Sequence, residues 1–312
     1  MLLSVIADVS PACAQQYPTK PIRLIVASAA GGGADIIARL LGQKLAEGLG
    51  QQVVVDNRPG GGGSIGIELG VKAAPDGYTL TLITPTYAIN PSLYPIKFDA
   101  LNDFTAVSLI AKGPLIAIVH PSVAARSLRE LIAMAKTKPG EITFGSSGQG
   151  AIIHLATELF LHMAQIKMTH VPYKGGGPAL TDLIGGQISL LFATPQVCLP
   201  HVSSGRVRAL AVTSAERSAA LPSVPTIAES GVPGYEVTNW HGIVAPKGLP
   251  RPLVERINAE VNRAIKLKDM IERLNGDGVA PAGGSPEQFF EHVRKEIEQW
   301  RSVVAQAGVK LN

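Results

Sequence analysis

Three times in this chain a short apolar run meets a glycine-rich turn that leads straight into a helical pattern. Residues 22–27 precede Gly31-Gly32-Gly33, residues 142–144 precede Gly145-Ser146-Ser147-Gly148-Gln149-Gly150, and residues 168–173 precede Gly175-Gly176-Gly177. The first turn of a helix carries N–H groups with no intrahelical acceptor and the positive end of the helix dipole. A glycine turn at that point holds an anion without using a charged side chain. The pattern predicts an anion binder. The first and second turns lie more than 100 residues apart, which suits two lobes facing each other across a cleft.

A chain of 312 residues exceeds one hydrophobic core, and with 46% hydrophobic and 17% charged residues it can fill two. The net charge of +4 is spread along the sequence and aromatics make up only 5%. That excludes the basic stripe and stacking platform of a nucleic-acid binder. Residues 1–14 read as a truncated signal segment: an apolar run interrupted by Asp8, then Ala12-Cys13-Ala14 as a small-x-small cleavage site, with Gln15 the first mature residue. Cleavage there leaves Cys198 as the remaining cysteine, so no disulfide and no thiolate metal site is expected, and Cys198 reads as a small buried hydrophobe. No later stretch has the ~20 uninterrupted apolar residues of a membrane span.

Helical and strand periodicities alternate, which predicts an α/β architecture. Ile36, Ile37, Leu40, Leu41 and Leu45 recur at helical spacing after Asp35, and residues 254–265 and 286–307 read as amphipathic helices near the end of the chain. Residues 84–103 read as turn-rich. Gly61-Gly62-Gly63-Ser64-Ile65-Gly66 satisfies G-x-G-x-x-G after a strand, yet the strand about twenty residues on ends in Thr84-Pro85 with no acid to hold a ribose. A nucleophile elbow fails at Gln149, and His154, set among Ile152, Ile153 and Leu155, reads as a packed or capping histidine. No catalytic residue, metal site or cofactor is expected.

Tyr17-Pro18-Thr19-Lys20-Pro21-Ile22-Arg23-Leu24-Ile25-Val26 followed by Gly31-Gly32-Gly33-Ala34-Asp35 resembles the opening of the substrate-binding proteins of tripartite tricarboxylate transporters, the Bug-type periplasmic receptors. The resemblance continues through Val53-Val54-Val55-Asp56-Asn57-Arg58-Pro59-Gly60, Ala73-Ala74-Pro75-Asp76-Gly77-Tyr78, Gly145-Ser146-Ser147-Gly148-Gln149-Gly150, His170-Val171-Pro172-Tyr173-Lys174-Gly175 and Pro222-Ser223-Val224-Pro225-Thr226. It implies a two-lobed type II periplasmic-binding-protein fold, each lobe a mixed sheet flanked by helices. On that pattern residues 17–119 with 242–312 form lobe one and residues 120–241 lobe two. It further implies a monomer in the periplasm that captures a small carboxylate and delivers it to the membrane subunits of a tripartite transporter.

Carried over position by position, the resemblance puts Ser28, Ala29, Gly31, Gly32 and Asp35 at the ligand from lobe one, with Asp35 ordering the turn, and Thr84 and Thr86 at the same rim. From lobe two it puts Ser146, Ser147, Gly148 and Ala151 at the other end of the ligand, beside Tyr173, Lys174 and Gly175, with Asp182 able to pair with a ligand ammonium. The chain departs from the family where Pro-Phe-x-Pro is usual and Ala27-Ser28-Ala29-Ala30 stands, and where Ala34 and Ala151 replace hydroxylated residues. Two other classes fit parts of the sequence: a cytosolic or sensory carboxylate-binding module, and a nucleotide-dependent enzyme using the Gly61 loop.

Overall fold

The computed structural model describes residues 17–307. The expected signal segment, with Cys13, and the last residues of the expected first lobe lie outside the described residues. In chain order the elements are β1 (Ile22–Val26), α1 (Gly33–Leu49), β2 (Val53–Asn57), α2 (Ser64–Val71), β3 (Thr79–Ile83), α3 (Pro85–Leu93) and β4 (Phe104–Pro114). Then come β5 (Ile116–Val119), α4 (Leu128–Thr137), β6 (Thr143–Ser146), α5 (Ile152–Ala164), β7 (Thr169–Pro172), α6 (Gly176–Ile184), β8 (Leu190–Ala193), α7 (Pro195–Ser203) and β9 (Arg208–Val212). The chain ends with β10 (Thr238–Pro246), α8 (Arg251–Ala264), α9 (Lys268–Gly276), β11 (Ala280–Pro281) and α10 (Pro286–Ala307).

Two mixed sheets result, one ordered β11-β4-β10-β3-β1-β2 and the other β7-β6-β8-β5-β9. β1 runs parallel between β2 and β3 and is buried at four of its five positions, which is why Ile-Arg-Leu-Ile-Val shows an almost unbroken apolar run rather than an alternating one. The stripe Ile37, Leu41 and Leu45 of α1 is fully buried in the same core. Each sheet thus carries helices on its faces, the two-lobed α/β architecture read from the sequence.

The crossings differ in detail from the sequence expectation. The resemblance puts residues 116–119 at the end of lobe one, but Ile116–Val119 pairs with β8 and β9, so the chain changes sheet at Leu115. The return is also earlier than residue 242, because β10 begins pairing with β4 at Thr238. Residues 84–103, read as turns, contain the helix α3. Pro85 stands at its first position, where the missing N–H is harmless and φ is already helical. Abundant turn residues concealed it.

Thr213 ties the two crossings together. Its Oγ1 accepts from the Leu115 N–H at 2.8 Å and donates to the Val237 carbonyl at 2.7 Å. Its backbone N–H donates to Leu115 O at 3.0 Å and its carbonyl accepts from Val237 N at 2.9 Å. The residue is fully buried. Thr213→Val keeps the shape and strands one donor and one acceptor, so a loss of about 2–4 kcal/mol in urea unfolding is expected. A change under ~0.5 kcal/mol, the level of an indifferent surface substitution, would remove this staple from the account of the hinge.

Candidate functional site

Six helices start at one cavity between the sheets. From the first lobe these are α1, whose cap Gly32 and first residue Gly33 line it, α2, preceded by Gly62 and Gly63, and α3, capped by Thr84. From the second they are α5, capped by Ala151, α6, beginning at Gly176, and α7, capped by Thr194. Each first turn offers N–H groups without intrahelical acceptors and a partial positive charge. α3 and α7 open on Pro85 and Pro195, which lack an N–H, and the cap residues Thr84 and Thr194 line the cavity beside them. Among the described residues no lysine or arginine lines the cavity. Its volume is about 80 Å³.

The first-lobe loop is held from behind. Gly31 adopts φ +78°, a left-handed conformation suited to glycine, and its N–H donates to Asp35 Oδ2 at 3.0 Å. Asn57 Nδ2 donates to the Ser28 carbonyl at 3.1 Å. Burial alone would raise the Asp35 carboxyl, but hydrogen bonds from Arg39 and the Gly31 N–H outweigh it and hold the group below the usual carboxylate range. Asp35 therefore shapes the turn as an anion and does not line the cavity. Ser28 does line it, and its Oγ is buried without a partner among the described residues.

The second-lobe loop rests on an aromatic stack. Phe144 lies 4.9 Å from His170, and His170 lies 4.0 Å from His154, centroid to centroid. His154 Nδ1 accepts from Gly150 N at 3.1 Å, and His170 Nε2 sits 2.6 Å from Ser146 Oγ, which also donates to the Gly148 carbonyl. Burial, then the neighbouring His154, pushes His170 down to about 3, so this support stays neutral. Ser146 is fully buried behind the loop, whereas Ser147 lines the cavity.

Of the residues expected at the site, Ser28, Gly32, Thr84, Thr86, Ser147 and Ala151 line this cavity. Ala29, Gly31, Asp35, Ser146, Gly148, Tyr173, Lys174, Gly175 and Asp182 do not. Several of those join the lobes or brace the loops instead. Ala29 N donates to the Lys174 carbonyl at 3.3 Å, and a Cβ on Gly175 would come within 3.0 Å of the Ala29 Cβ. Gly148 has φ +138° and supplies the carbonyl that Ser146 bonds. Asp182 Oδ2 accepts from the Tyr173 hydroxyl at 2.7 Å; burial and that bond push the phenol up to about 12. Thr86 Oγ1 accepts from Ile152 N at 3.2 Å, and Tyr94 donates to Gln149 O at 2.6 Å, two further bonds across the cleft.

The sequence reading missed Gly62, Gly63, Thr194, Asn239 and His241. The Gly61 loop follows a strand and opens a helix like the other three turns, and that common pattern was the available signal once the dinucleotide reading was set aside. Asn239 and His241 sit on β10 with no motif around them; only the return of the chain places them here. Ile67, Ile83, Ile152 and Ile153 form apolar walls. Among the described residues no group of three metal-ligating side chains is gathered, and no helix is long and apolar enough to cross a membrane.

Residues 37–309 match the tripartite tricarboxylate transporter family receptor. The chain is 38% identical over 305 residues to protein BugT of Bordetella pertussis, covering 97% of this chain and 94% of that one. Among solved structures, R. palustris Rpa4515 with adipate superposes with a TM-score of 0.92 at 38% identity, covering 94% of this chain and 99% of the other. MatC from Rhodopseudomonas palustris with bound malate gives 0.89 at 30% identity, covering 92% and 100%. The chain belongs to the tripartite tricarboxylate transporter receptor family.

Proposed function

We propose that this protein is a periplasmic receptor that captures a small carboxylate between its lobes and presents it to the membrane subunits of a tripartite transporter. The observation that carries the reading is the convergence of six helix starts, from both lobes, on a cavity that no lysine or arginine lines among the described residues. Such a site neutralises a carboxylate with backbone donors and dipoles, and releases it when the lobes part and each lobe keeps only half of the donors. Relatives solved with adipate and with malate support the ligand class. The protein acts as a monomer and a binder rather than an enzyme. The Gly61 loop belongs to the same cavity, and the strand that follows it carries no acid for a ribose.

Ser28, Gly32, Ser147 and Ala151 are the positions at which loop groups from the two lobes meet the acid. Carboxylates are expected to bind at least tenfold more tightly than their primary amides in calorimetry, since a charge-assisted hydrogen bond contributes ~1.5–3 kcal/mol. Equal affinity for an acid and its amide would overturn the anion reading.

A further inference from the structure

We propose that Asn239, His241 and Ser28 form a polar subsite that reads a hydroxyl on the bound acid, so that the ligand class is hydroxy acids in preference to their deoxy counterparts. This rests on the carboxylate-receptor reading and sharpens it. Asn239 and His241 stand two apart on β10, so their side chains leave the same face of the sheet. Trp240 between them serves the opposite side, its ring 5.8 Å from Phe289 and its indole donating to Glu296 at 2.9 Å. Asn239 is 3% and His241 1% exposed, and both line the cavity with Ser28.

Their polar atoms are unspent. Both ring nitrogens of His241, Oδ1 of Asn239 and Oγ of Ser28 are buried with no hydrogen-bond partner among the described residues. Buried polar groups are almost always paired, with protein or with ordered water, so three such residues sharing one cavity call for water when it is free and for polar groups of a ligand that displaces it. The inventory says what kind. Asn239 Oδ1 can only accept, the neutral imidazole offers one donor and one acceptor, and a serine hydroxyl does either. A carboxylate only accepts and leaves Asn239 Oδ1 unpaired. A hydroxyl donates one bond and accepts another, which this set can complete. Burial holds His241 at about 4, so it meets the ligand as a neutral imidazole and adds no cation of its own. The apolar walls at Ile67, Ile83 and Ile152 suit the carbon stem between the two polar ends.

Calorimetry on the full chain with matched pairs, succinate against malate, glutarate against 2-hydroxyglutarate and butanoate against 3-hydroxybutanoate, tests this. The hydroxy member of at least one pair is expected to bind tenfold or more tightly than its deoxy partner. In Asn239→Leu and His241→Phe that preference should fall below threefold. Without ligand both variants should melt at or above the wild-type temperature, because each removes an unpaired buried polar group from a site with room for the new side chain. If the acids bind but every pair is matched within threefold, the subsite is overturned and the receptor reading stands. If none of the six acids binds, both fall. A lowered melting temperature with the preference intact would make these residues structural and overturn the proposal. The wild-type comparison and Asn239→Leu decide the matter even if His241→Phe does not fold.

Discussion

Gly33→Val is expected to weaken carboxylate binding by more than 100-fold. Gly33 opens α1 on the first-lobe side, and Thr194 caps α7 on the second. A Cβ at Gly33 would collide with the Thr194 Oγ1 and lie 2.8 Å from its Cβ. Threonine is short and branched, so the conflict cannot be relieved by swinging a flexible tip, and the two helix starts must separate. Separation breaks the ring of donors and admits water, which weakens every remaining charge-assisted bond. Gly33 does not have a positive φ, so valine meets no backbone strain there. The loss of affinity should therefore come from the separated helix starts and not from a strained backbone at residue 33. Gly33→Ala should show a smaller effect of the same sign, and Thr194→Gly added to Gly33→Ala should recover part of it, because the obstacle is then absent. Small-angle scattering should show contraction with ligand in the wild type and little in Gly33→Val. Unchanged affinity in Gly33→Val would mean that binding does not require this approach of the lobes.

The residues that could be read from the sequence are those whose local chemistry is self-contained. Gly32, Ser147 and Ala151 stand in strand–turn–helix patterns that define a helix start wherever the chain goes, and all three line the cavity. Ser146 and Gly148 belong to the same patterns but support the loop from behind, because which face of a turn meets the cleft depends on the other lobe. Asp182 could not be placed by pattern at all. Its bond to Tyr173 spans the distance from β7 to α6, a contact set by tertiary packing. Asn239 and His241 were invisible for a related reason: β10 is an inserted antiparallel strand between β3 and β4, and its neighbours are more than 100 residues away in sequence. The crossing at Leu115 was misplaced because the apolar runs of β4 and β5 are separated by Lys112-Gly113-Pro114, and periodicity does not say to which of two sheets a strand belongs.

Stability is expected to decline as pH falls from about 7 toward 5, with His241 a principal cause. Burial alone depresses His241 to about 4. Burial with Lys112 and Lys295 depresses His292 to about 4, and burial with His154 depresses His170 to about 3. In the unfolded chain each returns to about 6.5. Below that value the unfolded state binds protons the native state refuses, so stability rises with pH through this window and levels off above it. For His241, which is 1% exposed, the loss at pH 5 is on the order of 2 kcal/mol. The depressed carboxyls Asp35 and Asp56 contribute only at lower pH, since their stabilisation persists until the solution approaches their unfolded values near 4. Glu296 acts in the opposite sense: burial raises it, so its contribution to stability is lost as pH rises and not as it falls. The informative measurement is therefore a difference in which these other groups cancel. Urea unfolding from pH 5 to 8 should give a wild-type slope steeper than that of His241→Phe by up to one proton, about 1.4 kcal/mol per pH unit at the acid end. Parallel slopes would mean that His241 titrates normally in the native protein and is reached by water, contrary to the enclosed wall described for it. A steeper wild-type slope would identify the acid sensitivity of the free receptor with the neutral imidazole in its binding cavity.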